Sequence, residues 1–192
     1  VNFVGQLYYP GVYPIHPFST IITGLIQAGG IDTTGSLRNI QIRRDGKLFN
    51  TIDLYQYFLK GESPDKIQIR DQDIIFVPVK NTIITIDSSV VNPGIYEGIS
   101  EESVYDMIQY AGGVKLGGSS SIALSRIKPI NDRSSNDIFE NSYLHLRDTK
   151  LISIQNGDHI SIRSVFEQQN FVHIVGQVKV PGIYNLSNGF SD

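Results

Sequence analysis

VGQLYYPGVY, Val4 to Tyr13, is written again as IDSSVVNPGIY at Ile86 to Tyr96 and as VGQVKVPGIY at Val175 to Tyr184. The Pro-Gly glycines Gly11, Gly94 and Gly182 stand 83 and 88 residues apart, and the Ala-Gly-Gly triplets opening at Ala28 and Ala111 keep the 83-residue interval. A period this long exceeds the roughly 20 to 50 residues of solenoid units, so each copy can enclose a core of its own. The chain therefore reads as tandem small domains at residues 1–80 and 81–166, with residues 167–192 as the first hairpin of a third copy. That copy stops at Asp192, where alignment to Thr20 and Ile21 would begin its helix. The expectation is a piece excised from a longer protein.

Period and punctuation give the order of elements within a copy. Phe3 to Tyr8, the Pro10-Gly11 turn and Val12 to Ile15 predict a β-hairpin, repeated at Ile83 to Val91, Asn92-Pro93-Gly94 and Ile95-Tyr96. Phe18, Ile21, Ile22, Leu25 and Ile26 then follow helical spacing, with Ser19 or Thr20 as N-cap and Gly29-Gly30 at the C-terminal end. In the second copy Val104, Met107, Ile108 and Ala111 form the inward stripe. There Ser100 is the expected cap, with Glu101 and Glu102 in the first turn, where the helix dipole favours negative charge. Ile40 to Arg44 and Ile122 to Arg126 alternate as half-buried strands. Acidic turns, Asp71-Gln72-Asp73 and Asn156-Gly157-Asp158, introduce closing strands at Ile74 to Val77 and His159 to Ile162. Asp53 to Lys60 is a second short helix with Leu54, Tyr57 and Phe58 on one face. Hairpin, helix, then further strands is an α+β order, read in each copy as a β-grasp (ubiquitin-like) domain: a small mixed sheet covered by one main helix.

The 192 residues suffice for two such domains. Lys and Arg number 16 against 19 Asp and Glu, a net charge of −3, and no basic stripe emerges, which argues against nucleic acid as a partner. Absence of cysteine removes disulfides and thiolate metal sites. Gly117 to Ser121 and Asn131 to Asn141 read as mobile surface loops by composition. Lys80-Asn81 and Ser164 to Asn170 are brief connections, which implies packed neighbours.

The order V-G-x-V-x-x-P-G-x-Y, amphipathic helix, A-G-G, apolar-x-apolar-x-R and x-D-x-I-x-V resembles the soluble-ligand-binding β-grasp (SLBB) domain, and its tandem copies are similar to the periplasmic repeats of the outer-membrane polysaccharide export family. Val4, Gly5, Pro10, Gly11, Tyr13, Ala28, Gly29, Gly30, Arg44 and Asp73 carry the likeness in copy one. In copy two Pro93, Gly94, Tyr96, Ala111, Gly112, Gly113, Arg126 and Asp158 carry it, and in the partial copy Val175, Gly176, Pro181, Gly182 and Tyr184. Copy two departs from the pattern, reading Asp87 where the Val-Gly glycine would stand, so an irregular first strand is expected there. The resemblance implies a β-grasp fold, ring-like homo-oligomers in the periplasm as part of an outer-membrane-associated protein, contact with inner-membrane export machinery, and a part in passing capsular polysaccharide or exopolysaccharide to the cell surface.

A search for chemistry finds little. His16, His145, His159 and His173 are dispersed and form no H-E-x-x-H pair, so no metal site and no cofactor is expected. Asp71 and Asp73 resemble the start of a calcium loop, without the glycine and later ligands it requires. Nucleophile-elbow, P-loop and dinucleotide motifs are missing from the sequence, which makes a non-enzymatic protein the expectation. Asp158 and His159 form the one adjacent acid/base pair. For ligand or subunit contact the candidates are Tyr8, Tyr9, Arg44 and Arg126. Each arginine ends an apolar strand face, where its fork either meets a neighbouring subunit's carboxylate or an anionic sugar, or is satisfied by its own acidic turn, Asp73 or Asp158. Tyr13, Tyr96 and Tyr184 recur after each Pro-Gly and read as packing residues, which leaves Tyr8 and Tyr9 free to stack on sugar rings. The leading expectation is a scaffold of polysaccharide export. The alternative is a module that binds soluble ligand or cell-wall glycan without forming a channel.

Overall fold

The computed structural model describes residues 1–16, 18–64, 67–134, 138–167, 171–174 and 182–185, with backbone alone for the last two stretches. Two mixed five-stranded sheets follow one another along the chain. The first is ordered β2-β1-β5-β3-β4, built from β1 (Asn2–Gly5), β2 (Gly11–Val12), β3 (Ile40–Arg44), β4 (Lys47–Ile52) and β5 (Ile74–Val77). The second repeats it as β7-β6-β10-β8-β9, from β6 (Ile83–Ser88), β7 (Gly94–Glu97), β8 (Gly118–Ile127), β9 (Phe139–His145) and β10 (His159–Ser164). In each sheet the first and last strands run parallel, Asn2 to Gly5 beside Ile74 to Val77 and Thr85 to Ser88 beside His159 to Ile162, and the other neighbours are antiparallel. A third pair, β11 (Phe171–Ile174) and β12 (Gly182–Asn185), forms a two-stranded antiparallel sheet. The expected packing of that hairpin on copy two or on a partner chain concerns side chains outside the described residues.

One helix covers each five-stranded sheet: α1 (Ile21–Gln27), capped by the Thr20 side chain, and α3 (Val104–Tyr110). Their apolar faces close two separate cores, one around Phe3, Leu25, Ile40, Ile42 and Ile75, the other around Ile86, Met107, Ile108, Ile122 and Ile160. The cores solve the same packing problem with exchanged sizes. A Cβ on Gly24 of α1 would lie 2.4 Å from the Phe3 ring. In copy two the equivalent positions hold Met107 and the smaller Ile86, both fully buried. A large strand residue over a helix glycine has become a smaller strand residue under a large helix side chain, which conserves volume.

The Ala-Gly-Gly triplets have a structural cause. Gly29 and Gly112 adopt φ of 79° and 81°, ending each helix in a left-handed turn. The hairpin tip is stitched to that end by Tyr9 N–H to Ala28 O (2.9 Å) and Tyr8 N–H to Gly30 O (3.2 Å), and again by Asn92 N–H to Ala111 O (2.8 Å) and Val91 N–H to Gly113 O (3.1 Å). The repeated tyrosines are structural in the same way: Tyr13 Oη donates to Tyr9 O at 2.7 Å and Tyr96 Oη to Asn92 O at 2.6 Å.

The structure corrects several of these expectations. Phe18 stands ahead of α1 and is 87% exposed, and Ile26 faces outward as well, so the buried stripe is Ile21, Leu25 and Ala28. The cap of α3 is Ser103 and not Ser100: Ser103 and Asp106 form a reciprocal capping box, and Glu102 lies before the helix. The second short helix, α2 (Tyr55–Lys60), turns Leu54 and Tyr55 inward and leaves Phe58 exposed. Gly118 to Ser121 are not a loop but the start of the ten-residue β8, where Ser121 pairs with His145. Phe139 to Asn141 likewise belong to β9. The residue standing for Gly5 in copy two is Ser88, not Asp87: Gly5 lies beside Val77 and Ser88 beside Ile162, both with positive φ, 96° and 69°. A Cβ at Gly5 would sit 2.0 Å from Val77 O, which fixes glycine there.

Candidate functional site

The four contact candidates fall in two groups. Tyr8 and Tyr9 are 55% and 68% exposed at the first hairpin tip, the Tyr9 ring lying over Gly29. Arg44 and Arg126 have their forks occupied inside their own modules. Arg44 Nε and Nη2 each donate at 2.8 Å to the two oxygens of Asp73, and Arg126 does the same to Asp158 at 2.9 and 2.8 Å. A third hydrogen bond from each guanidinium reaches a backbone carbonyl, Gln68 O or Ser153 O. Burial pushes the Asp73 carboxyl up, but the Arg44 fork and the Arg70 N–H together outweigh it and hold the group below the ordinary carboxylate value. The arginines thus tie the end of one strand to the turn that opens another. His159 does not join Asp158: its Nε2 lies 2.7 Å from Asp87 Oδ2, whereas the Asp158 side chain is buried on Arg126.

The densest polar constellation lies where the two modules meet, and it is made of residues the repeat pattern does not mark. Ser36, Leu37 and Arg38 precede β3, Asp53 and Tyr55 open α2, Glu97 ends β7, Glu102 lies before α3 and Tyr110 is its last residue. Glu97 reaches back into the first module, accepting from Ser36 Oγ at 2.5 Å and Leu37 N–H at 2.7 Å. Its own N–H donates to Tyr55 Oη at 2.7 Å. Arg38, 7% exposed, grips Asp53 Oδ2 through Nε and Nη2 at 3.0 and 2.8 Å and sends Nη1 across to Glu102 Oε2 at 2.6 Å. Tyr110 Oη donates to the other Glu102 oxygen at 2.6 Å. The guanidinium carbon lies 4.5 Å from the Tyr55 ring centre and 5.2 Å from that of Tyr110, and the two rings meet edge to face at 5.5 Å.

Each partner in this network is satisfied by another, so the network holds the two modules together. Hydrogen bonds to Glu102 and Asp53 outweigh the desolvation of Arg38 and raise its pKa, which keeps the cation fixed. Burial pushes the Tyr55 and Tyr110 hydroxyls up to about 12, so both stay protonated as donors or acceptors of defined sense. Beside the network a crevice of about 330 Å³ opens between the modules, lined among others by Asn39, Thr51, Asn81, Thr82, Ile99 and Ser100.

Sequence reasoning passed over Arg38 and Glu97, and took Glu102 only for a first-turn helix residue, because it followed what repeats. A signal was nonetheless present: the matching positions in the other copy are Ser120, Pro14 and Ser19, so none of these three charges recurs. Among the described residues no cluster of three metal-ligating side chains occurs, and no helix is long and apolar enough to cross a membrane.

Residues 3–50 match the family model of the SLBB domain. No curated protein matches the chain.

Proposed function

We propose that the SLBB domain beginning at Phe3 is the first of two β-grasp repeats in this chain, that a third begins at Phe171, and that the repeats form a non-catalytic scaffold in the periplasmic part of an outer-membrane-associated exporter of capsular polysaccharide or exopolysaccharide. The β2-β1-β5-β3-β4 order with its parallel β1/β5 pair and a single covering helix supports the β-grasp reading, and its recurrence in the second sheet extends it beyond residues 3–50. The observation that carries the scaffold reading is the junction. A buried arginine bridging carboxylates of two modules gives orientation, since a guanidinium fork is satisfied in few geometries. Fixed orientation between successive modules is what a load-transmitting or ring-forming wall needs, and a reacting site does not.

In the full-length protein these repeats associate with copies of themselves and lie between the inner-membrane export machinery and the surface. Chemical cross-linking and light scattering of the complete periplasmic region test this: closed oligomers are expected, and monomers at every concentration would count against it. Deleting residues 1–166 from the full-length protein should abolish surface polysaccharide. The second reading, a soluble glycan-binding or other ligand-binding module that forms no channel, draws on the inter-module crevice and predicts glycan binding by a protein that stays monomeric.

A further inference from the structure

The crevice between the modules has a wall of unusual composition. Thr51 comes from β4, Asn81 and Thr82 from the connection between the sheets, and Ser100 from the turn before α3, so one concavity is built from both modules and their link. Within the described residues, the side chains of Thr51, Asn81, Thr82 and Ser100 make no hydrogen bond. Val79 and Ile99, 54% and 46% exposed, supply an apolar strip on the same wall. Clefts at domain interfaces that combine apolar surface with a few convergent polar groups are where small ligands bind, and about 330 Å³ lies at the lower end of the range for such clefts.

Charge selects the class of ligand. The back wall holds Arg38, whose fork is committed to Asp53 and Glu102, and Glu97, whose carboxylate is committed to Ser36 and Leu37. Arg38 and Glu97 line the crevice and the Asp53 and Glu102 carboxylates stand behind Arg38, so one cation faces three carboxylates in and behind the wall, which disfavours an anion in the crevice. The open groups are neutral hydroxyls and a carboxamide, donors and acceptors suited to the hydroxyls of an uncharged ring whose C–H face rests on Val79 and Ile99.

We propose that this inter-module crevice binds a neutral sugar ring, with Thr51, Asn81, Thr82 and Ser100 bonding its hydroxyls. The assignment rests on the polysaccharide reading for its choice of ligand, and it places the polymer against the joint between repeats, not on the exposed tyrosines of the hairpin tip. Because the ring touches both modules and the link, its binding also favours the observed arrangement of the two.

The test is amide chemical-shift mapping of the full chain titrated with maltohexaose and chitohexaose, neutral hexasaccharides of two linkages, and with oligogalacturonate as the acidic control. Saturable shifts from a neutral probe centred on Asn81, Thr82, Gly98 and Ser100 are the expected result. Thr51→Ala and Asn81→Ala should each weaken that binding about fivefold, the equivalent of one net hydrogen bond of about 1 kcal/mol. Shifts centred on Tyr8 and Tyr9, tighter binding of the acidic probe, or no shifts at millimolar saccharide would overturn the site. None of these outcomes bears on cross-linked assembly, so the scaffold reading stands or falls separately.

Discussion

Tyr55 of the first module accepts a hydrogen bond from the backbone N–H of Glu97 in the second at 2.7 Å, and the Glu97 carboxylate returns to Ser36 and Leu37 of the first. The junction is thus fastened in both directions by a single residue, with Arg38 crossing beside it to Glu102.

Arg38→Ala should be the most disruptive change at the joint. It leaves Asp53 and Glu102 without their counter-charge, and removing one partner of a buried pair costs roughly 3–5 kcal/mol. Urea unfolding should change from one transition to two as the modules uncouple. Arg38→Lys should rescue little, since an ammonium cannot span Asp53 and Glu102 as the fork does.

Alkali should loosen the same joint. Tyr55 and Tyr110 titrate near 12 in the folded protein against about 10 when unfolded, so the folded state holds more protons between those values. Stability is at its full value below pH 10 and falls as pH rises from 10 to about 12. Ultraviolet titration should find Tyr55 and Tyr110 among the late-ionising tyrosines, with Tyr96 also shifted upward by burial, and Tyr55→Phe should remove one late-ionising group.

Acid acts on the Arg44–Asp73 tie. The folded Asp73 carboxyl lies below its unfolded value, so its contribution is present above about pH 4 and is lost as pH falls through the depressed value. Asp73→Asn should lower stability at neutral pH and flatten the acid limb, read from urea midpoints between pH 2 and pH 7. An acid limb identical to that of the unaltered chain would sink the assignment.

The exchange of sizes between the cores predicts a rescue. Gly24→Met alone drives a side chain into the Phe3 ring, and overpacking costs typically about 1–3 kcal/mol. Adding Phe3→Ile recreates the Ile86–Met107 arrangement and should recover part of the loss, a coupling of about 0.5–3 kcal/mol in a double-mutant cycle.

Ser103→Ala should cost about 1 kcal/mol by removing half of the capping box of α3. Ser100→Ala, three residues earlier, should change stability by less than about 0.5 kcal/mol. Thermal denaturation of the two variants separates the cap that exists from the one that local sequence suggests.

That contrast shows where reading the chain succeeded and where it failed. The stripe Val104, Met107, Ile108 and Ala111 was legible because burial repeats with the helical period, and all four are fully buried. Ser100-Glu101-Glu102 also looked like a helix start. Glu102 instead turns its carboxylate to Ile99 N–H and to Arg38, so the helix begins after it. A long-range ion pair outweighed a weak local preference. Gly117 to Ser121 misled for a related reason: glycine and serine carry no strand signal, and the pairing of β8 with β9 and β10 orders them. Of the contact candidates, the place of Arg44 and Arg126 at strand ends and of Asp73 and Asp158 in acidic turns made their pairing one of two readings, whereas Thr51, Asn81, Thr82 and Ser100 have no common motif and meet only in space.

The module can be read along the chain, in its repeat length, its helix and strand faces and the two cores they close, because those depend on periodicities of apolar residues that act over a few positions. How one module meets the next is set by the folded chain alone. Arg38 and Glu102 are 64 residues apart, their approach follows no period, and a buried ion pair finds its partner through the fold that surrounds it.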